Sequence, residues 1–372
     1  MASSRLTGGA WGRALTWGPL PFLVVVTLLV AAPVLVSDSN VFLLTGILIW
    51  AIFAISYNLL LGYTGVVSLG HAAFFGIGGY TVALILVKTG LPFVVAFVAA
   101  PLVAAGAALI MGALALRLPA IYFALFTLAV GQIVWSVANR WTDFTGGDNG
   151  LNVSAAAIPD LISSRVEFYF FTLVLALFAA AILYMVVNSP FGFTLRAIRE
   201  NSNRVEFVGI PVRRYKLLAF VISGLFTGLA GSLLALHTNF VHPENLFWLR
   251  TAEVLLMVLL GGFHIFWGPA LGAGVFLYLE NQVRNNPYDQ TLALTGLAIG
   301  GLAVVVAILF PLGIGGLLQL AGRMAGGGRG ESGAQPPGPQ PLALRWRTAI
   351  AAVRQRLGVR DKSSGGPTDS QG

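Results

Sequence analysis

A chain of 372 residues in which 57% of side chains are hydrophobic and only 10% charged has too little polar surface to cover a soluble fold. It contains no cysteine, which excludes a disulfide frame, a thiolate metal site and a cysteine nucleophile. The formal net charge of +8 would suit nucleic acid, but the basic residues sit in short loops and the tail, as cytoplasmic loops do, so no nucleic-acid partner is expected.

The first residues carry Arg5 and Arg13 and no acid, which holds an N-terminal arm, 1–18, on the inside. No small-residue cleavage site follows, so the apolar run after Gly18 is read as a span rather than a signal peptide. Between Gly18 and Ala138 the only charges are Asp38, Lys88 and Arg117. This predicts spans at roughly 19–37, 41–61, 71–88, 92–116 and 120–138. The segment Asn139 to Val166 has Asp143, Asp148 and Asp160 against Arg140 and Arg165 and is assigned outside. A span at 168–187 leads to Asn188–Lys216, where six basic residues face two acidic ones, which places that loop inside. A span at 217–237 returns the chain to the outside.

Thr251–Glu280 is apolar but interrupted by Gly261, Gly262, Gly268 and Pro269. A single crossing there would put the basic tail outside. It is therefore read as a broken, partly re-entrant element with halves at about 252–262 and 268–280, followed by a last span at 291–312. The fold class is all-α: a polytopic integral membrane protein of about eight full transmembrane helices plus the broken element. The membrane-spanning body covers 19–320; a Gly/Pro-rich linker, expected to be disordered, covers 321–341 and a basic tail 342–372. Within the tail, 342–360 reads either as an amphipathic helix on membrane lipid or as a disordered basic segment.

Gly62–Val87 is the most informative stretch, with glycine at 62, 65, 70, 76, 78 and 79 and polar residues at Ser68 and His71. Each glycine costs a helix about 1 kcal/mol relative to alanine. Such density suits a helix that breaks, here after Leu61, or backbones in close approach. Tyr57, Asn58, Gly62, Gly65, Ser68, Gly70 and His71 are the candidate pathway residues, with tight helix packing as the competing reading. A second cluster, Gly224, Gly228 and Gly231, reads as a weak internal repeat or as a GxxxG-type contact.

RAIRENSNRVEFVGI alternates charged and apolar residues as a short amphipathic helix ended by Gly209 and Pro211 would. It is either a docking surface for a partner, through Arg196, Arg199, Glu200, Arg204, Glu206 and Gly209, or a solvated loop that sets topology. His237 and His242 near Glu244 lack any repeating ligand spacing, so no metal is predicted. No catalytic set is present and no enzyme activity is expected. A proton- or ion-coupled transporter would keep an ionisable group at mid-membrane; only Glu253, near a boundary, comes close.

Four blocks carry a resemblance: Tyr57–Thr81, FTGGDNGL at Phe144–Leu151, Arg196–Ala235, and EVLLMVLLGGFHIFWGPALGA at Glu253–Ala273. Their order over about 40–318 resembles the LivM-type permease subunits of bacterial ABC importers for branched-chain amino acids. Val66, Val67 and His264 depart from the family's usual residues. The resemblance implies a second permease subunit, two ATP-binding cassette subunits and a periplasmic or lipid-anchored amino-acid-binding protein in a bacterial cytoplasmic (inner) membrane, with both termini cytoplasmic. It also implies that the Arg196–Gly209 segment couples to the ATPase. No G-x-x-x-x-G-K-[ST] is present, so ATP and its magnesium are expected on the partners and no cofactor on this chain. A break in the Gly62 region would offer NH groups to a carboxylate and carbonyls to an ammonium, and Leu, Ile and Val are the expected substrates. Sister importers of urea or short amides remain the alternative.

Overall fold

A computed structural model describes residues 26–33, 36–153, 159, 164–284 and 301. The N-terminal arm, the last expected span at 291–312, the linker and the tail lie outside the described residues, apart from residue 301. Of the first expected span, 26–33 is helical. Nine longer helices follow: α1 (Asp38–Asn58), α2 (Ala72–Leu84), α3 (Phe93–Ala115), α4 (Ala120–Arg140), α5 (Arg165–Asn188), α6 (Pro190–Phe207), α7 (Val212–Thr238), α8 (Trp248–Gly261) and α9 (Gly268–Arg284). π-Helical turns extend α1 through Leu59–Thr64 and α2 through Ile85–Thr89.

Among the described residues six helices are long and apolar enough to cross a bilayer: 38–64, 72–89, 93–115, 120–140, 165–188 and 212–238. The chain is a polytopic membrane protein. Two boundaries fall outside the apolar runs for local reasons. The start of α5 moves forward to Arg165 because Ser164 and Glu167 form a capping box, each side chain accepting the other's backbone N–H. α7 begins at Val212, directly after Pro211, and its first turn is tied down by Arg213, which donates to the Ala113 carbonyl at 3.1 Å.

The bundle is built around α1, α2 and α7. The most apolar window of α1 is 78% buried, that of α4 only 17%. α7 packs on α2 and α3 through small residues. Ala96, Ala100, Ala104 and Ala108 of α3 recur every four residues and are wholly buried, and a Cβ on Gly224 would lie 2.5 Å from that of Ala108. Gly78 and Gly231 likewise stand where a side chain would overlap the carbonyls of Gly228 and Phe75. This is the small-xxx-small contact that lets helices associate where lipid supplies no hydrophobic drive. α3, α4 and α5 turn Ile110, Ile121, Tyr122, Ile133, Val174 and Met185 outward.

A two-stranded antiparallel ribbon departs from the all-helical expectation: β1 (Leu151–Asn152) pairs with β2 (Phe240–Val241), and Val153 N–H extends the ladder to the Asn239 carbonyl at 2.9 Å. It lies at the end of the bundle where Lys88 donates to the Asp143 carbonyl. Arg196, Arg199 and Arg213 gather at the opposite end. The two loops expected on opposite sides of the membrane are thus held at opposite ends of the bundle.

The apolar run 251–280 is interrupted at 262–267, and α8 and α9 pack against each other as a hairpin. Gly261 lies against the Gly268 carbonyl and Gly272 against that of Met257. With 14 residues, α8 is about 21 Å long, short of a hydrocarbon core of about 30 Å. Glu253 is ion-paired within the first turns of α8, its carboxylate 2.9 Å from Arg250 Nη1.

Candidate functional site

The backbone leaves the helix at 65–71, where Gly65 takes the left-handed conformation, φ 69°. The break comes after Thr64 rather than after Leu61, because the π-turn carries the helix past Gly62. Gly62 answers a different need: a Cβ there would lie 2.6 Å from the Phe263 carbonyl oxygen, so this is where the end of the first long span touches the hairpin tip.

The freed polar groups of the break find partners on other helices. Leu69 N–H donates to Thr127 Oγ1 of α4 at 3.2 Å, and Ala72 N–H to Thr251 Oγ1 of α8 at 2.8 Å. The Ser68 carbonyl accepts from the Tyr57 hydroxyl at 3.0 Å. Gly70 lies flat against the Thr127 backbone. His71 Nε2 is 2.8 Å from Ser223 Oγ, whose proton goes to the Ser56 carbonyl at 2.6 Å. His71 must then carry its proton on Nε2, leaving Nδ1 as an acceptor. Thr227 Oγ1 and Ser56 Oγ, 3.0 Å apart, close this polar chain across α1, α2 and α7.

Tyr57, Asn58, Ser68 and His71 therefore cluster at the break, all buried, with the aromatic rings of Phe53, Phe74 and Phe220 around His71. The Asn58 amide, Ser68 Oγ and His71 Nδ1 are buried with no hydrogen-bond partner among the described residues. Such groups cost free energy unless water or a ligand meets them. Thr127, Thr251 and Ser223 belong to the same constellation and carry no sequence signal, being single hydroxyls in apolar runs far along the chain.

The second candidate region is α6. Its first half is wedged against the bundle by Leu195 and Ile198, both buried. Asn201 breaks it with extended backbone, φ −159°, and its Oδ1 caps the second half by accepting Arg204 N–H at 2.9 Å. The six residues expected to dock divide accordingly. The Arg196 guanidinium lies over the Tyr63 ring at 5.2 Å, and that of Arg199 over Phe263 at 5.2 Å while donating to the Gly62 carbonyl. Arg196 is half-buried, whereas Arg199, despite these contacts, is exposed like Glu200, Arg204, Glu206 and Gly209. Beside them Phe207 and Val208, 92% and 77% exposed, are the most exposed large apolar residues of the described chain. The sequence reading passed over them; an apolar pair at the end of an otherwise charged segment is the signal that could have found them.

Among the histidines, His237 stacks between Phe42 at 4.0 Å and Phe168 at 5.9 Å, while His242 Nδ1 accepts Glu244 N–H at 3.2 Å. His264 is exposed at the hairpin tip, beside the Phe263 ring.

The sequence that forms the hairpin, the broken span and α6 matches a known family. The family model described as branched-chain amino acid transport system / permease component matches residues 39–307, from α1 past both breaks and α6. The chain belongs to that family. Over 322 residues it is 32% identical to the high-affinity branched-chain amino acid transport system permease protein LivM of Escherichia coli (strain K12), covering 79% of this chain and 74% of the relative. The LivM protein of Salmonella typhimurium is 31% identical over 320 residues, 78% and 73% of the two chains. A partial match joins it to the guanosine ABC transporter permease protein NupP of Bacillus subtilis (strain 168), 27% identical over 139 residues, 36% of this chain and 40% of the relative. No solved structure matches the chain. As a branched-chain amino acid permease component it is a non-catalytic transmembrane subunit.

Proposed function

We propose that this chain is one permease subunit of an ATP-driven importer that moves leucine, isoleucine and valine across a bacterial cytoplasmic membrane by alternating access. The observation that carries the reading is the divided α6. One half is wedged against the break and hairpin tip, and the other presents Phe207 and Val208 to a partner at the basic end. An exposed apolar pair flanked by charges is the composition of a helix that seats in a protein groove. In this reading the partners are two ATP-binding subunits, which hold the nucleotide and its magnesium, a second permease subunit and an amino-acid-binding protein outside. The α8–α9 hairpin enters and leaves from the outer side, and both termini face the cytoplasm. The break at 65–71 lies on the substrate path, where the unpartnered Asn58, Ser68 and His71 atoms meet the passing solute or its water.

Uptake of labelled leucine into vesicles tests this, comparing the chain alone with the chain plus its co-purifying partners. ATP is supplied and the proton and sodium gradients are collapsed. The expected result is uptake that needs partners and ATP and ignores the gradients; gradient-driven uptake by the chain alone would overturn it. The partial similarity to a guanosine permease favours a second reading, in which the same scaffold carries another small polar solute. Competition of unlabelled guanosine, urea and amides against leucine separates the two.

A further inference from the structure

The end of the first long span presents carbonyls that no helical N–H can reach, as the last turn of any helix does. A left-handed Gly65 closes part of this end, with Val66 N–H returning to the Leu60 carbonyl at 3.2 Å, and basic residues can satisfy the remaining carbonyls and complement the dipole. The Leu59–Thr64 turn has none of its own. The donor comes instead from 137 positions along the chain: Arg199 of α6 gives an N–H to the Gly62 carbonyl. Its guanidinium at the same time covers the Phe263 ring of the hairpin tip at 5.2 Å, and its Cγ lies 3.0 Å from where a Cβ on Gly65 would stand. Gly62 itself touches the Phe263 backbone. One side chain thus grips the span end, the first residue of the break and the tip of α8–α9 together. Among the described residues no carboxylate lies within 4.0 Å of it, so the grip uses a directional donor and a flat face rather than an ion pair.

We propose that Arg199 is a positioning residue that clamps α6 to the 65–71 break and to the hairpin tip. A displacement of α6 then reaches both as one rigid movement. This rests on the reading of α6 as the element that meets the ATP-binding subunits. Interfaces of this kind transmit motion because packed elements shift together rather than deform. A lysine cannot replace the clamp fully, since a point charge lacks the planar face that stacks.

The test uses the full chain assembled with its partner subunits in proteoliposomes, and reads labelled leucine taken up per ATP hydrolysed. For Arg199→Ala, the ATP-binding subunits should stay bound while uptake per ATP falls about tenfold. Arg199→Lys should recover part of it. R199A with native uptake per ATP would overturn the proposal, as would an R199K variant no better coupled than R199A. Loss of the ATP-binding subunits from R199A would also overturn it, making Arg199 a docking contact. A native complex without ATP-dependent uptake would bring down the α6 reading beneath it.

Discussion

The interruption at 65–71 is held from outside itself, whereas that at 262–267 closes on its own backbone. The first leans on Tyr57 of α1, Thr127 of α4 and Thr251 of α8 for its polar groups. In the second, Gly262 N–H returns to the Val258 carbonyl at 3.0 Å, Ile265 N–H to Gly262 at 3.3 Å and Gly268 N–H to Ile265 at 3.1 Å. Apolar contacts then seat it, with Phe266 buried and edge-on to Tyr184 at 5.3 Å. A break pinned by three neighbouring helices changes shape only when those helices move. One that satisfies itself travels as a unit with its two arms. Irregular backbone at membrane depth is permitted where protein, not lipid, surrounds it, as it does Ser68, Gly70 and His71 in the first break and Ile265 and Phe266 in the second.

Substitutions that delete one hydroxyl probe this difference. Thr251→Val keeps the shape but leaves Ala72 N–H buried without its acceptor; a loss of about 2 kcal/mol is expected in unfolding of the detergent-solubilised protein. Thr127→Val removes a longer bond, 3.2 Å to Leu69 N–H, and should cost about 1 kcal/mol in the same assay. His264→Ala, at an exposed position of the self-closed turn, should change stability by less than about 0.5 kcal/mol. If His264→Ala proved as costly as Thr251→Val, the second break would be pinned from outside too and the distinction would fall.

Much of the bundle was legible because apolar runs and loop charges are local signals. The runs at 71–88, 92–116 and 120–138 lie within two residues of the observed helices 72–89, 93–115 and 120–140. The hairpin was foreshadowed by Gly261, Gly262, Gly268 and Pro269, which no long helix tolerates easily. The position of the first break was not legible. Gly62 and Gly65 look alike in sequence, yet one is there for a close approach to Phe263 and the other for a left-handed φ. Nor could the sequence tell which arginines of α6 lean back onto the bundle, since their partners at Gly62, Tyr63 and Phe263 lie more than sixty residues away on either side. The ribbon escaped for a simpler reason: two-residue strands are too short to display alternation.

That ribbon also imposes an order on biogenesis. Leu151 pairs with Val241, so the second strand is synthesised 90 residues after the first, from the difference of the paired positions. At ordinary translation speeds that is a wait of roughly 5–18 s, during which α5, α6 and all of α7 are delivered. The segment around Phe144–Leu151 thus stays unzipped throughout, and the strand pair fastens only once the seventh of the helices named above has arrived. It is a clasp closed late, recording that the chain between its halves has already been threaded.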